Sequence, residues 1–167
     1  MRIHAIPFYG HTKPNGWMSN FYPCHIKFNG NKFSTSEQMF MWKKALYFND
    51  PSTARAILLA KTPTEAKALG RQIINYDDED WKNYRGIAMM SAVYEKFSQN
   101  EDLKQNLVGT GDYFLVEATR NDKIWGIGLD VDDERLYNND NWQGYNLLGS
   151  CLMTVRSMLR GSSQTKD

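Results

Sequence analysis

The sequence has few cysteines and lacks a long apolar segment. Its two cysteines, Cys24 and Cys151, lie far apart. They match neither a metal-ligand spacing nor the framework of a disulfide-stapled secreted domain, so we expect reduced thiols. No apolar run approaches the ~18 residues of a membrane-spanning helix. The segment before Trp17 is interrupted by polar residues, glycine and proline and carries no apolar signal core. The sequence therefore predicts a soluble, cytoplasmic protein without a membrane partner.

The sequence also lacks an excess of charge of one sign and the common nucleotide-binding motifs. Twenty Lys and Arg residues against nineteen Asp and Glu residues leave a formal net charge of +1. No global field draws the chain to nucleic acid, so a phosphate site must be local. There is no P-loop and no G-x-G-x-x-G, and "GTGD" and "WGIG" do not replace them. His4, His11 and His25 precede the first strong helix signal without a second ligand cluster, so we expect no metal and no cofactor.

Aromatic residues, in contrast, are plentiful. They make up 13% of the chain, with five Trp and nine Tyr, and they offer many flat faces for stacking on a ligand. A length of 167 residues is typical of one domain. We therefore expect a single domain over residues 1–167, with a core from about 8 to 159 and a frayed tail over 161–167.

Local patterns predict a helix-rich α+β fold with a short antiparallel hairpin and a small sheet. The residues from Ile26 to Phe33 alternate around Asn29-Gly30, a strong hairpin signal. A strand is predicted in "YFLVEAT", a loop over 11–23, and a surface loop in the acidic, Asn-rich run before Leu147. Helix caps and apolar periodicity predict helices at about 37–48, 52–60, 63–72, 79–99, 101–107 and 147–160.

Glu37 at the start of the first helix allows two interpretations. Ser34, Thr35 and Ser36 each offer an N-cap oxygen. Ser34 and Glu37 fit an S-x-x-E capping box, and a carboxylate also complements the dipole at a helix start. However, Glu37 and Lys44 share a helix face with Phe40 and Met41, so an inward apolar pair would place both charged groups at the edge of a cavity. A buried lysine has a lowered pKa and can act as a nucleophile. The sequence pattern leaves both interpretations open.

Two further groups of residues are equally ambiguous. Trp81, Arg85 and Met89 recur at a spacing of four on the longest helix, as core and salt bridge or as a stacking plate with a phosphate clamp. Asp122 follows the predicted strand, where an aspartate often stabilises a turn. The glycines of "WGIG" mark turns or a close backbone approach.

Five sequence blocks, in order, resemble the NADAR family, also called YbiA-like. They are "MSNFYPCHIKFNGNKFSTSEQMFMWKKALYF", "ILLAKTPTEAKALGR", "WKNYRGIAMMSAVYEKFSQNEDLKQNLVGTGDYFLVEAT", "DKIWGIG" and "GYNLLGSCLMTVRSML". The match runs from about Phe8 to Leu159. One block alone would be weak evidence, whereas five in order are specific. The resemblance implies the NADAR/YbiA-like fold and hydrolysis of N-glycosidic bonds on ribose that carries a phosphate or an ADP group.

The resemblance also implies roles for particular positions. The implied catalytic residues are Glu37, Lys44 and Asp122. The implied substrate-binding residues are Asn20, Phe21, Trp81, Arg85, Met89, Glu117, Trp125, Gly126, Gly128 and Asn146. The segment Gly-Trp-Met-Ser-Asn departs from the apolar residue that many relatives have before Ser-Asn, so Trp17 would reshape the base pocket. This departure bears on the choice of substrate and not on the fold.

Several functions are compatible with this resemblance. The first is removal of ADP-ribose from the guanine amino group of ADP-ribosylated DNA or RNA, in some systems as the partner of a DNA ADP-ribosyltransferase toxin. The second is an N-glycosidase of ribosylamino-pyrimidine phosphates in riboflavin biosynthesis. The third is a non-catalytic ADP-ribose-binding module. For the enzymes, cleavage by acid/base catalysis and a Schiff base on Lys44 are both open mechanisms. The sequence does not predict an oligomeric state.

Overall fold

The computed structural model describes residues 1–163, which divide into two compact units. One unit spans Asn20–Asn100, and the other combines Met1–Ser19 with the chain from Glu101 onward. The strands are β1 Ala5–Phe8, β2 Ile26–Phe28, β3 Asn31–Phe33 and β4 Phe114–Glu117, and the helices are α1 Ser36–Tyr47, α2 Pro51–Leu59, α3 Pro63–Gly70, α4 Asp78–Gln99, α5 Glu101–Gly109 and α6 Leu147–Ser163. The single domain expected from the chain length stays a prediction.

The hairpin of the Asn20–Asn100 unit forms where the sequence predicts it. Strands β2 and β3 pair antiparallel, and Asn29 and Gly30 have φ of 48° and 76°. Positive φ at both central residues is what a type I′ turn requires. The side-chain amide of Gln99, at the end of α4, bonds the N–H and the C=O of Lys27 at 2.8 and 2.9 Å. This contact covers part of an otherwise open strand edge.

The start of α1 differs from the predicted capping box by one residue. Thr35, not Ser34, caps the helix, because its hydroxyl accepts the N–H of Gln38 at 3.1 Å. The side chain of Gln38 in turn accepts the N–H of Ser34 at 2.9 Å. The segment contains two overlapping signatures, and the carbonyl of Ser34 is already paired with the N–H of Cys24. Glu37 therefore lies in the first turn of α1, and Gln38 supplies the side-chain acceptor for the N–H of Ser34.

Helix α3 begins at the predicted cap. Thr62 accepts the N–H of Glu65 at 3.1 Å, and Pro63 is the first helical residue, as predicted. Helix α3 ends at Gly70, two residues earlier than predicted, where it packs against α1. A Cβ at Gly70 would lie 2.2 Å from the sulfur of Met41, so a larger residue at this position would displace the side chain of Met41. The close approach brings the free carbonyl end of α3 to the side of α1.

The other unit contains a parallel pair of strands, β1 with β4, with Ala5 opposite Phe114 and Phe8 opposite Glu117. Its core includes Val116, Ile127 and Leu136. Strand β1 was not predicted, and β4 is shorter than "YFLVEAT". The acidic, Asn-rich run contains two short 3₁₀ helices within an otherwise irregular loop.

The observed elements confirm the helix-rich α+β class with small sheets. Helix α6 continues to Ser163, so the first residues of the predicted frayed tail are helical, and the rest of that tail, residues 164–167, lies outside the described residues. Within residues 1–163 no helix combines the length and the apolar character that crossing a membrane needs.

Candidate active site

The predicted site residues divide between the two units. The Asn20–Asn100 unit contains Asn20, Phe21, Glu37, Lys44, Trp81, Arg85 and Met89. The other unit contains Glu117, Asp122, Trp125, Gly126, Gly128 and Asn146.

Asn20 is a buried junction between the loop before β2, the start of α1 and the middle of α4. Its Oδ1 accepts the hydroxyl of Ser36 at 2.8 Å, and its carbonyl accepts the N–H of Glu37 at 3.1 Å. Its Nδ2 donates to the sulfur of Met89 at 3.2 Å. Asn20 and Met89 are both buried, so this contact holds the loop before β2 against α4. The structure thus brings Asn20, Glu37 and Met89 together.

Glu37 and Lys44 interact along one face of α1. Glu37 is only 6% exposed, which is unusual for a carboxylate. Burial lowers the pKa of Lys44, whereas the charge of Glu37 raises it again; Arg71 lowers it and Asp78 raises it. Thr35 and not Ser34 is the N-cap of α1, and Glu37 and Lys44 share a common electrostatic environment. Their catalytic roles stay predictions.

The amine of Lys44 is held by two further contacts. Its Nζ donates to the carbonyl of Gly70 at 3.1 Å and lies 4.5 Å from the centre of the Tyr76 ring. The first contact uses the negative end of α3, and the second is a cation–π interaction. A lysine with a lowered pKa has more neutral amine near neutral pH, and the neutral amine is the nucleophilic form.

Sequence reasoning missed Tyr76. Its hydroxyl donates to Asp78 at 2.8 Å. Burial and that hydrogen bond raise the pKa of Tyr76 to about 12, and Arg85 acts in the opposite direction. Tyr76 therefore stays protonated and lies between the amine of Lys44 and the first turn of α4. Its one sequence signal is an aromatic residue in the turn before a helix, which is too common to single it out.

Arg85 is a half-buried cation on α4. Among residues 1–163, no carboxylate forms an ion pair with its guanidinium group. It is close enough to Tyr76 and Asp78 to lower the pKa of each. Within residues 1–163, Arg85 therefore does not form the salt bridge that the sequence left open. Its five N–H donors can bind an anion.

Trp81 and Phe21 differ in how they could meet a ligand. Trp81 is 5% exposed, and the rings around it, at centroid distances of 5.6 to 6.0 Å, are those of Phe40, Tyr47, Phe48 and Tyr84. This packing corresponds to the core alternative for Trp81, because little of its surface is left for stacking. Phe21 is half-buried, with the ammonium group of Lys67 at 5.7 Å from its ring centre. Substrate contact by either ring stays a prediction.

In the other unit, Asn146 supports the backbone of β4. It is 1% exposed and has φ of 52°, a conformation that asparagine tolerates better than most residues. Its Nδ2 donates to the carbonyl of Leu115 at 3.0 Å, and its Oδ1 accepts the N–H of Glu117 at 3.1 Å. Both hydrogen-bonding ends of the side chain are therefore used within the protein, which defines a structural role.

Asp122 stabilises a turn after β4, as aspartates in such positions often do. Its Oδ1 accepts the N–H groups of Ile124 and Trp125 at 2.9 and 2.8 Å. Gly126 closes this turn tightly, because a Cβ there would lie 2.9 Å from the carbonyls of Asp122 and Glu117. A catalytic role for Asp122 stays a prediction, and the contacts within its own unit favour the turn.

Gly128 continues the same segment with φ of 74°. A Cβ at this position would lie 3.0 Å from the Cβ of Gln143. The glycines of "WGIG" thus permit close backbone packing, one of the two interpretations that the sequence left open. Substrate binding by Gly126 and Gly128 stays a prediction.

The order and chemistry of these elements match a known domain family. The NADAR domain aligns with residues 7–160 of the chain. The chain belongs to the NADAR family. The NMR structure of the E. coli protein YbiA superposes with a TM-score of 0.81 at 29% identity, covering 100% of this chain and 91% of YbiA. This likeness confirms the NADAR/YbiA-like fold.

Three curated proteins are similar to this chain over much of its length. Protein irg-1 of Caenorhabditis elegans is 44% identical over 130 residues, 77% of this chain and 61% of irg-1. An N-glycosidase of Acanthamoeba polyphaga mimivirus is 36% identical over 143 residues, 83% of this chain and 84% of that protein. A riboflavin biosynthesis protein of Vibrio vulnificus is 34% identical over 155 residues, 93% of this chain but 38% of that protein. The matched region thus makes up most of the mimivirus protein but well under half of the Vibrio vulnificus protein.

Proposed function

We propose that this NADAR protein is an N-glycosidase that removes ADP-ribose from the exocyclic amine of guanine in ADP-ribosylated nucleic acid. The observation that carries the proposal is the interaction of a buried Glu37 with a Lys44 whose pKa burial lowers. A carboxylate and an amine whose pKa is lowered, on one helix face, are the groups that cleavage of a ribosylamine needs. The names of related N-glycosidases support the reaction class.

Glu37 is the acid/base group in this mechanism. Cleavage of the bond between C1″ and nitrogen develops oxocarbenium character on the ribose and negative charge on the departing nitrogen. A carboxylate near C1″ stabilises the former, and in its protonated form it supplies a proton to the latter. Water then adds to C1″ and loses its proton to the carboxylate, so the products are the free guanine amine and ADP-ribose. Within α1 the position of Glu37 is fixed by its N–H bond to Asn20.

Lys44 offers a second route that suits an amino-linked ribose. The ribosylamine opens to an imine, the neutral amine of Lys44 adds to C1″, and the guanine amine leaves with the transferred proton. Water hydrolyses the resulting lysine imine and regenerates Lys44. The hydrogen bond to Gly70 and the contact with Tyr76 hold the amine in place for this step.

Arg85 is the phosphate-binding group in the proposal. Its half-buried guanidinium lacks a carboxylate partner among the described residues, and arginine binds phosphate through paired N–H donors. Phe21 supplies a flat face near Lys67 for a base. An ADP-ribosyl group presents both a diphosphate and a base. A DNA ADP-ribosyltransferase toxin is the kind of enzyme that would produce this substrate.

A small ribosylamino-pyrimidine phosphate is the second candidate substrate. The observation that favours it is the similarity to a Vibrio vulnificus protein named for riboflavin biosynthesis. Such a compound also offers an amino-linked ribose and a phosphate, so Glu37, Lys44 and Arg85 would act in the same way.

The test is a panel of substrates incubated with the protein. It comprises DNA and RNA oligonucleotides ADP-ribosylated on guanine, matched oligonucleotides modified on thymidine, and ribosylamino-pyrimidine phosphate. We expect free ADP-ribose from the guanine-modified strands and none from the thymidine-modified strands. Cleavage of the pyrimidine phosphate alone would establish the second candidate instead. Tight binding of ADP-ribose without any turnover, unaffected by Glu37→Gln and Lys44→Ala, would identify a binding module and contradict both candidates.

A further inference from the structure

Lys96 is a completely buried lysine that the proposed reaction does not use. It lies near the end of α4 and is 0% exposed, although lysine is among the residues least often buried. Burial lowers its pKa to about 8, and the nearby Cys24 acts in the opposite direction. Burying an ammonium group opposes folding, so its presence calls for a compensating role.

The surroundings of Lys96 indicate that role. Its Nζ lies 5.7 Å from the ring centre of Tyr22 and 5.0 Å from that of Phe97. The thiol of Cys24 acts on the amine electrostatically, and the ring of Tyr22 faces it. Both belong to the segment Asn20–Cys24, which also contains Phe21. Lys96 thus contacts, from inside the protein, the segment to which substrate-binding residues are assigned.

This segment is fixed at its two ends by hydrogen bonds. Asn20 is bonded to Ser36 and Met89, and the N–H of Cys24 donates to the carbonyl of Ser34 at 2.9 Å. Between these ends, the rings of Phe21 and Tyr22 each lie near a lysine of a helix. The ring of Phe21 faces Lys67 of α3, and the ring of Tyr22 faces Lys96 of α4. A cation–π contact is stronger when the cation is desolvated, as Lys96 is.

We propose that Lys96 is a positioning residue that holds the Asn20–Cys24 segment in its substrate-binding shape through the ring of Tyr22. Because Lys96 is wholly buried, it acts through Tyr22 and does not touch the substrate. The effect on catalysis rests on the proposed function, whereas the effect on the segment does not.

A lysine retained only for core packing would behave differently. Lys96→Met keeps most of the volume of the side chain and removes the buried charge. If packing were the sole role, this variant would leave the segment ordered. Under our proposal the variant is more stable than the wild type and yet has a looser segment, because a buried charge retained for function opposes folding.

The test measures amide hydrogen exchange of the Asn20–Cys24 segment without any substrate. We expect exchange to accelerate by about tenfold in Lys96→Met and in Tyr22→Leu, the effect of losing one desolvated cation–π contact. Tyr22→Phe keeps the ring and is the matched control, with exchange close to that of the wild type. Tyr22→Leu removes the aromatic partner of the same contact and leaves Lys96 in place. It therefore tests the proposal even if Lys96→Met does not fold. Unchanged exchange in Tyr22→Leu would overturn the proposal.

Kinetics on the guanine-modified oligonucleotide complete the test. We expect KM to rise by about tenfold in each single variant with kcat within about twofold. The double variant should be no worse than either single variant, because both remove one contact. Additive effects would contradict the pairing of Lys96 with Tyr22. An inactive wild type with accelerated exchange in the variants would defeat the proposed function and leave the positioning role standing.

Discussion

The ammonium group of Lys44 lies 4.5 Å from the centre of the Tyr76 ring. The contact joins α1 to the turn before α4, and the amine also donates to the carbonyl end of α3. Three elements distant in sequence thus determine where one amine lies. Because burial also lowers its pKa, Lys44 is the residue whose substitution is most informative.

Lys44→Ala should lower kcat/KM for the guanine-modified oligonucleotide by about 10²- to 10⁴-fold, the usual range for loss of one proton-transferring or nucleophilic group. Borohydride added during turnover should trap the ribose on Lys44, as mass spectrometry of the digested protein would show. Lys43→Ala is the matched control. Burial also lowers the pKa of Lys43, but its amine lies over the ring of Phe28. Near-normal activity of Lys44→Ala, with no trapped adduct in the wild type, would eliminate the imine route.

Glu37→Gln should reduce kcat by about 10²-fold or more. It should also lower the pKa of Lys44 further, because burial already lowers that pKa and the charge of Glu37 is what opposes the effect. NMR titration of labelled lysine Nζ measures this shift. Glu95→Gln is the control, since Glu95 acts on the pKa of Lys43 instead. An unchanged rate in Glu37→Gln would remove Glu37 from the acid/base role.

Asn146→Ala should destabilise the fold by about 2–4 kcal/mol. It leaves the buried carbonyl of Leu115 and the N–H of Glu117 without their partner, and it places alanine at a positive φ. Urea unfolding measures the loss. Asn121→Ala, at an exposed position, should change stability by less than about 0.5 kcal/mol. Equal stability of the two variants would show that the side chain of Asn146 does not support β4.

Lys96→Met should stabilise the protein most at low pH. Burial lowers the pKa of Lys96 in the folded state to about 8 from the ordinary 10.5. Below pH 8 the ammonium is charged in both states, so burial opposes folding fully. From pH 8 to 10.5 the folded state loses its proton first, and the wild type therefore gains stability relative to the variant.

Thermal unfolding of wild type and Lys96→Met from pH 6 to 10 measures this effect. The difference in Tm should be largest below about pH 8 and should shrink as the pH approaches 10, in line with the lowered pKa. Tyr76 also contributes to the pH dependence of stability, because burial raises its pKa. This contribution is common to the two proteins and cancels in the difference. A difference that stays constant with pH would show that Lys96 is not buried as a charged group.

Local signals in the sequence were enough to predict much of the fold. Asn29-Gly30 predicted the hairpin and Thr62-Pro63 the start of α3, because turn and cap preferences depend on a few adjacent residues. Strand β1 was missed because its partner begins at Phe114 and its four residues show no alternation. Ser34, Thr35 and Ser36 each offer a capping oxygen, so adjacent residues alone could not decide that Thr35 is the N-cap of α1.

The candidate site was less accessible to sequence reasoning. Periodicity placed Glu37 and Lys44 on one face of a helix but could not show that Tyr76 lies against the amine, because that contact depends on how separate elements pack. Family resemblance implied that Trp81 binds substrate, whereas its burial among aromatic rings is a tertiary property. The burial of Lys96 could not be predicted, since nothing in the local sequence distinguishes a buried lysine from an exposed one.

The central claim is cleavage of the bond between C1″ of ribose and the guanine nitrogen. Mass spectrometry of the products from a guanine-ADP-ribosylated oligonucleotide tests it most directly. The account predicts intact ADP-ribose and an unmodified oligonucleotide in equal amounts, formed by the wild type and strongly reduced in Glu37→Gln. An untouched substrate, or an oligonucleotide that retains ribose phosphate while AMP is released, would contradict it.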